Sequence, residues 1–110
     1  MSEVIDAAVF RDLQATAGAD FVAELVDTFL EEAPGLLAAL REARAAGDAD
    51  AHRRAAHSLK SNGLTFGATA LASSARALEL GGIGDASAID ALQREFEAAA
   101  RSLKELRHGA

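Results

Sequence analysis

The chain has 110 residues, half of them apolar, with no cysteine, tryptophan or tyrosine and a single proline. That is the length of one domain with one core, hiding roughly two-thirds of the surface its unfolded chain exposes; the lack of cysteine excludes disulfides and thiol chemistry, fits a reducing compartment and leads to the expectation of a cytoplasmic protein. No apolar run approaches the ~20 residues that span a bilayer, no basic-then-apolar leader opens the chain, and a net charge of −6, with −7 of it in residues 1–32, argues against nucleic acid as a partner.

The frequent alanine favours helices. Asp6 is placed to cap a short first helix over about Ala7 to Ala15, with Gly18 ending it. Asp20 then caps a long second helix, in which Phe21, Leu25, Phe29 and Val22, Val26, Leu30 form two neighbouring stripes. Pro34-Gly35 predicts a kink, but the apolar pattern resumes at Leu36, Leu37, Leu40 and Ala43, so the helix is not broken. Gly47-Asp48 ends it and caps a third helix from about Ala49 to Phe66, closed by Gly67. A fourth, from about Ala68 to Leu80, buries Leu71, Ala75 and Leu78. The connection Gly81-Gly82-Ile83-Gly84 lacks the Lys-Ser/Thr pair of a phosphate loop. Ser87 caps the last helix, with Asp90 favourable in its first turn, and Ile89, Leu92, Phe96, Ala99, Leu103 and Leu106 make a bundle seam. His108-Gly109-Ala110 is a frayed tail. There is no strand candidate and no repeat. Short loops between amphipathic helices imply antiparallel neighbours. The expected fold is all-α: an up-down four-helix bundle with a short additional N-terminal helix, one domain over residues 1–110.

The third helix carries the candidate chemistry. At roughly 100° per residue, Leu59 and Phe66 lie nearly opposite His57, while Arg53, Lys60, Ser61 and Leu64 fall on the His57 side. If Leu59 and Phe66 point into the core, His57 points at water. Between Ala51 and Leu78 there are four bases and no acid, a local positive field suited to an anionic surface or a phosphoryl group. His52 lies nearer the Leu59 side and reads as structural. The histidines have no i, i+4 pairing, which disfavours a bundle metal site. Ser58 and His57 point about 100° apart, which excludes a nucleophile and base facing each other. Gly63, on the flank of the buried side, reads as a position for close helix packing.

The run from His57 to Ala68 resembles the signature of the histidine-containing phosphotransfer (HPt) family: His57, Leu59, Lys60, Phe66, Gly67 and Ala68 match it. Upstream, Phe29 to Leu37 and Ala46-Gly47-Asp48 are similar to the family's second helix and the turn after it; downstream, Leu71, Ala75, Leu78 and Glu79 fit the next helix. The resemblance covers Val4 to about Leu106. It implies that a receiver domain's phospho-aspartate gives its phosphoryl group to His57, which passes it to the aspartate of another receiver. It implies that Lys60 stabilises the phosphoryl oxygens, and that Glu79, 22 positions after His57, stands where the family often places a residue within reach of the histidine. It implies no cofactor of the chain's own, with Mg²⁺ coming from the receiver, and response-regulator receivers and a hybrid or sensor histidine kinase as partners. Ser61 departs from the family's common glycine, a place where a partner backbone comes close.

Arg53, Ser61 and Leu64 are the expected docking residues, and the expected state is a monomer. Two alternatives stay open: the phosphoacceptor domain of a chemotaxis-type histidine kinase, and a non-catalytic helical scaffold. With Met1 at its start, an end soon after the last helix and no room for an ATP site, the chain is expected to be a free-standing carrier.

Overall fold

The computed structural model describes residues 4–108, in five helices: α1 (Ala7–Ala17), α2 (Ala19–Ala46), α3 (Ala49–Phe66), α4 (Thr69–Gly81) and α5 (Ala86–His108). Among the described residues there is no strand. Short polar residues and glycines set the boundaries. Asp6 Oδ1 accepts from the Ala8 amide at 3.0 Å, and Asp48 Oδ1 accepts from the Ala51 amide at 3.0 Å, so each aspartate satisfies a donor the helix itself cannot. Gly67 closes α3 in the left-handed region, at φ 79°. The Gly67 carbonyl also accepts the Asp6 amide at 2.8 Å, which ties the start of α1 to the end of α3. α5 extends to His108; Gly109 and Ala110 of the expected frayed tail lie outside the described residues.

Two expected caps are corrected. α2 starts at Ala19, directly after Gly18, with no side-chain cap; Asp20 sits inside the first turn, where its charge meets the positive end of the helix dipole. α5 is capped by Asp85 and not by Ser87. The Asp85 carboxylate accepts from the Ser87 amide at 3.1 Å and from the Ser87 hydroxyl. Because α5 begins at Ala86, the capping position is Asp85 and Ser87 lies two residues too deep to cap it.

α2 runs unbroken through Pro34, which lies on the exposed side. Its buried seam is Val22, Val26, Phe29, Ala33, Leu37, Leu40 and Ala43. Of the two stripes read from sequence, the one starting at Phe21 is only partly seated: Phe21 is 52% exposed. One helix presents a single apolar face to a core, and two parallel stripes exceed it.

α2, α3, α4 and α5 each pack against the next, and α5 returns to α2, closing a four-helix bundle; α1 lies against α2 and α3. The pairing of α3 with α4 is antiparallel, since Gly63 meets Ala72 while His57, earlier in α3, meets Glu79, later in α4. At the centre the Phe29 ring lies 5.5 Å from Phe66 and 5.6 Å, edge-on, from Phe96, joining α2, α3 and α5. Leu59 is fully buried, worth about 1.5–3 kcal/mol. Buried His52 has no hydrogen-bond partner on either ring nitrogen among the described residues. No described helix is long and apolar enough to cross a membrane.

The α3–α4 contact is tight at Gly63. A Cβ there would lie 3.1 Å from both the Cβ and the backbone nitrogen of Ala72. Helix propensity alone would make Gly63→Ala stabilising by about 1 kcal/mol. Because backbone atoms of Ala72 stand in the way, the expected outcome is the reverse: a lower midpoint in urea unfolding, partly restored by adding Ala72→Gly.

Candidate functional site

α3 has to bury Leu59 and Phe66, and both are buried. That rotation turns His57 outward, with its side chain 55% exposed. Lys60 follows one turn later, and Ser61 and Leu64 continue the same face, Leu64 at 60% exposure. Across the narrow α3–α4 seam stands Glu79, its side chain only 13% exposed. Glu79 Oε2 lies 2.6 Å from His57 Nδ1. Glu79 Oε1 lies 2.7 Å from Lys60 Nζ, off the angle of a good hydrogen bond, so this contact is an ion pair first. One carboxylate therefore joins the histidine and the lysine.

The charge state of Glu79 settles what the ring does. The Lys60 ammonium, and after it the His57 ring, hold the Glu79 carboxyl below its ordinary value of 4.5. An ionised carboxylate only accepts hydrogen bonds, so His57 Nδ1 carries the proton and donates it. In the neutral ring the lone pair is then left on Nε2. The arrangement is a nucleophilic nitrogen on an exposed face, with its tautomer fixed from behind by a shielded carboxylate.

The charges around this face differ from the sequence reading. The run from Ala51 to Leu78 holds four bases and no acid, but acids just outside it take up three of them. Asp50 pairs with Arg53 at 2.7 Å and also with Arg54; the hydrogen bond from Arg53, then the Arg54 charge, lowers the Asp50 carboxyl. Glu79 takes Lys60. Arg76, exposed on α4, makes no hydrogen bond or ion pair among the described residues. Arg53 remains exposed on the His57 side, with its charge matched by Asp50.

Residues of α2 that sequence reasoning did not bring to the site are also present. An open groove of about 690 Å³ between α2 and α3 is lined by Glu31, Glu32, Gly35 and Leu36 together with His57, Ser58, Ser61 and Asn62. The signal was available in the hairpin through Gly47, which sets Leu36 level with His57. On the other flank a groove of about 480 Å³ is lined by Lys60, Leu64, Thr69, Ala72, Ser73 and Arg76. Among the described residues no group of three or more His, Cys, Asp or Glu is placed to hold a metal ion.

The sequence profile described as the Hpt domain matches residues 24–107, most of the chain. The chain belongs to the Hpt family. Its structure is similar to the crystal structure of histidine-containing phosphotransfer protein B (HptB) from Pseudomonas aeruginosa PAO1, with a TM-score of 0.86 and 28% identity over 100% of this chain and 99% of that one. No curated protein matches the sequence. As an Hpt protein with this likeness along its whole length, the chain is a histidine phosphotransfer protein of phosphorelays, and the family's relays pair such domains with receiver domains and histidine kinases.

The lowered Glu79 carboxyl contributes stability above its ordinary value of 4.5, and that contribution is lost as pH falls through the lower value of the folded protein. Replacing Lys60 by Ala removes the first cause of the shift. In a carboxyl-carbon NMR titration, the Glu79 midpoint is expected to lie below 4.5 in the unaltered protein and to move upward in Lys60→Ala. A midpoint that stays in place would assign the shift to another group.

Proposed function

We propose that His57 is the residue that carries the phosphoryl group, on Nε2, between the aspartates of two receiver domains. The observation that supports this reading is the Glu79 carboxylate on Nδ1, behind a ring whose other side is exposed. In the forward step the Nε2 lone pair attacks phosphorus. The bond from phosphorus to the receiver's aspartate oxygen breaks, and that aspartate leaves as a carboxylate. The positive charge gained by the ring is matched by Glu79, across the Nδ1–H bond. Transfer to the next receiver is the same step in reverse.

Phosphoryl transfer mostly needs in-line positioning and charge neutralisation. The receiver supplies Mg²⁺ in this proposal, and the chain brings Lys60. One turn from His57, Lys60 can release Glu79 Oε1 and turn its ammonium toward the phosphoryl oxygens. Glu79 is a positioning residue here, since it acts through His57. Arg53, Ser61 and Leu64 lie on the face a receiver would cover: Ser61 is small enough for a close backbone, and Leu64 offers an exposed apolar contact. We place the protein in the cytoplasm, as a monomer.

The test is transfer from a phosphorylated receiver domain. The label is expected to be acid-labile and base-stable, to be lost entirely in His57→Gln, and to be lost with little change in melting temperature, because His57 is exposed. Label persisting in His57→Gln would place the chemistry elsewhere. Leu64→Asp is expected to raise KM for the receiver about tenfold, the order of cost for losing a centrally placed apolar contact, while helical content stays the same.

A further inference from the structure

The two flanks of the His57 face carry opposite charge, and they lie level with one another. Gly63 faces Ala72 and His57 faces Glu79, so Lys60, midway between them on α3, is level with Arg76 on α4. On the other side Glu31 and Glu32 of α2 share a groove with His57 and Ser61. Both glutamates are exposed and form no ion pair among the described residues. A band therefore crosses three helices one turn from His57: two free carboxylates on α2, the small Ser61 in the middle, and the free guanidinium of Arg76 on α4. Lys60 does not add to the positive flank, because Glu79 matches it.

Neighbouring helix axes lie about 8–10 Å apart. The two ends of the band are then separated by more than the Debye length of about 8 Å at physiological salt, so they do not cancel. Each presents its own sign to whatever covers the face. In-line transfer fixes the line of attack at His57 but not the rotation of the partner about that line, and a face negative on one side and positive on the other distinguishes one rotation from its reverse.

We propose that this band orients the docked receiver: the partner is a receiver domain with basic residues over Glu31 and Glu32 and acidic residues over Arg76. This rests on the reading of His57 as the phosphoryl carrier. Receivers with the opposite pattern meet like charge on both flanks and are rejected.

The test uses the full chain and, from a panel of purified phosphorylated receiver domains, the one with the highest kcat/KM. Two variants are compared with the unaltered protein: Arg76→Gln, and Glu31→Gln with Glu32→Gln. They change the net charge in opposite directions. If charge only steers encounter, one raises kcat/KM and the other lowers it. If the band orients the partner, both lower it, each by about fivefold, the upper range for exposed charge pairs. The loss is expected in KM, to shrink at high salt, and to be restored by Arg76→Lys. Opposite effects of the two variants, or no effect of either, would overturn the orientation while leaving His57 as carrier. Failure of every receiver to label His57 in the unaltered chain would overturn both.

Discussion

α3 and α4 come so close that even a Cβ at position 63 would stand 3.1 Å from the Cβ and the backbone nitrogen of Ala72, and the arrangement around His57 depends on that approach. Because the two helices are antiparallel and this close, a glutamate on one reaches both a histidine and a lysine one turn apart on the other. A wider crossing would leave three independent polar side chains on the surface. The contact is held by the layers around it: Phe29 against Phe66 and Phe96, Leu59 and Leu71 in the core, and α1 pinned over the end of α3 through the Asp6–Gly67 hydrogen bond.

Such a seam lets a surface residue behave as part of a built site. His57 itself is exposed, as the proposed docking of a flat partner requires, yet the carboxylate that fixes its tautomer is shielded between helices. Glu79 is kept ionised by Lys60 and His57 together, and only in the ionised form does it oblige Nδ1 to hold the proton. In the proposed role the histidine needs no cavity, because phosphoryl transfer needs a fixed nitrogen, a matched charge and an approach path. The bundle supplies the first two and leaves the third open.

Much of the fold was legible because it rests on local rules. The left-handed glycine at Gly67, the aspartate caps at Asp6 and Asp48, and the spacing of Leu59 and Phe66 each act within a few residues, and they place His57 outward without tertiary information. The errors arose where neighbouring residues compete for one role. Asp85 and Ser87 both suit an N-cap, and the helix start decides between them. The stripes from Phe21 and from Val22 both have helical spacing, and only packing decides that the buried seam takes Val22 and Val26 from one and Phe29 from the other. At the site, Glu79 was reachable through the hairpin at Gly67, while Glu31, Glu32 and Leu36 required the register of a second hairpin through a 28-residue helix containing Pro34. Charge was misjudged for a simpler reason. Counting bases within a window omits the acids at its edges, and Asp50 and Glu79 sit one residue outside it.

The central claim is that Glu79 reserves one nitrogen of His57 for the proton and thereby selects the other for phosphorus. Phosphorus–nitrogen coupling in the ¹⁵N-labelled, phosphorylated protein reads this directly. The expected result is phosphorus bound to Nε2 with Nδ1 still protonated. Phosphorus on Nδ1 would contradict the account, because that nitrogen would have to leave the carboxylate on which the whole arrangement converges.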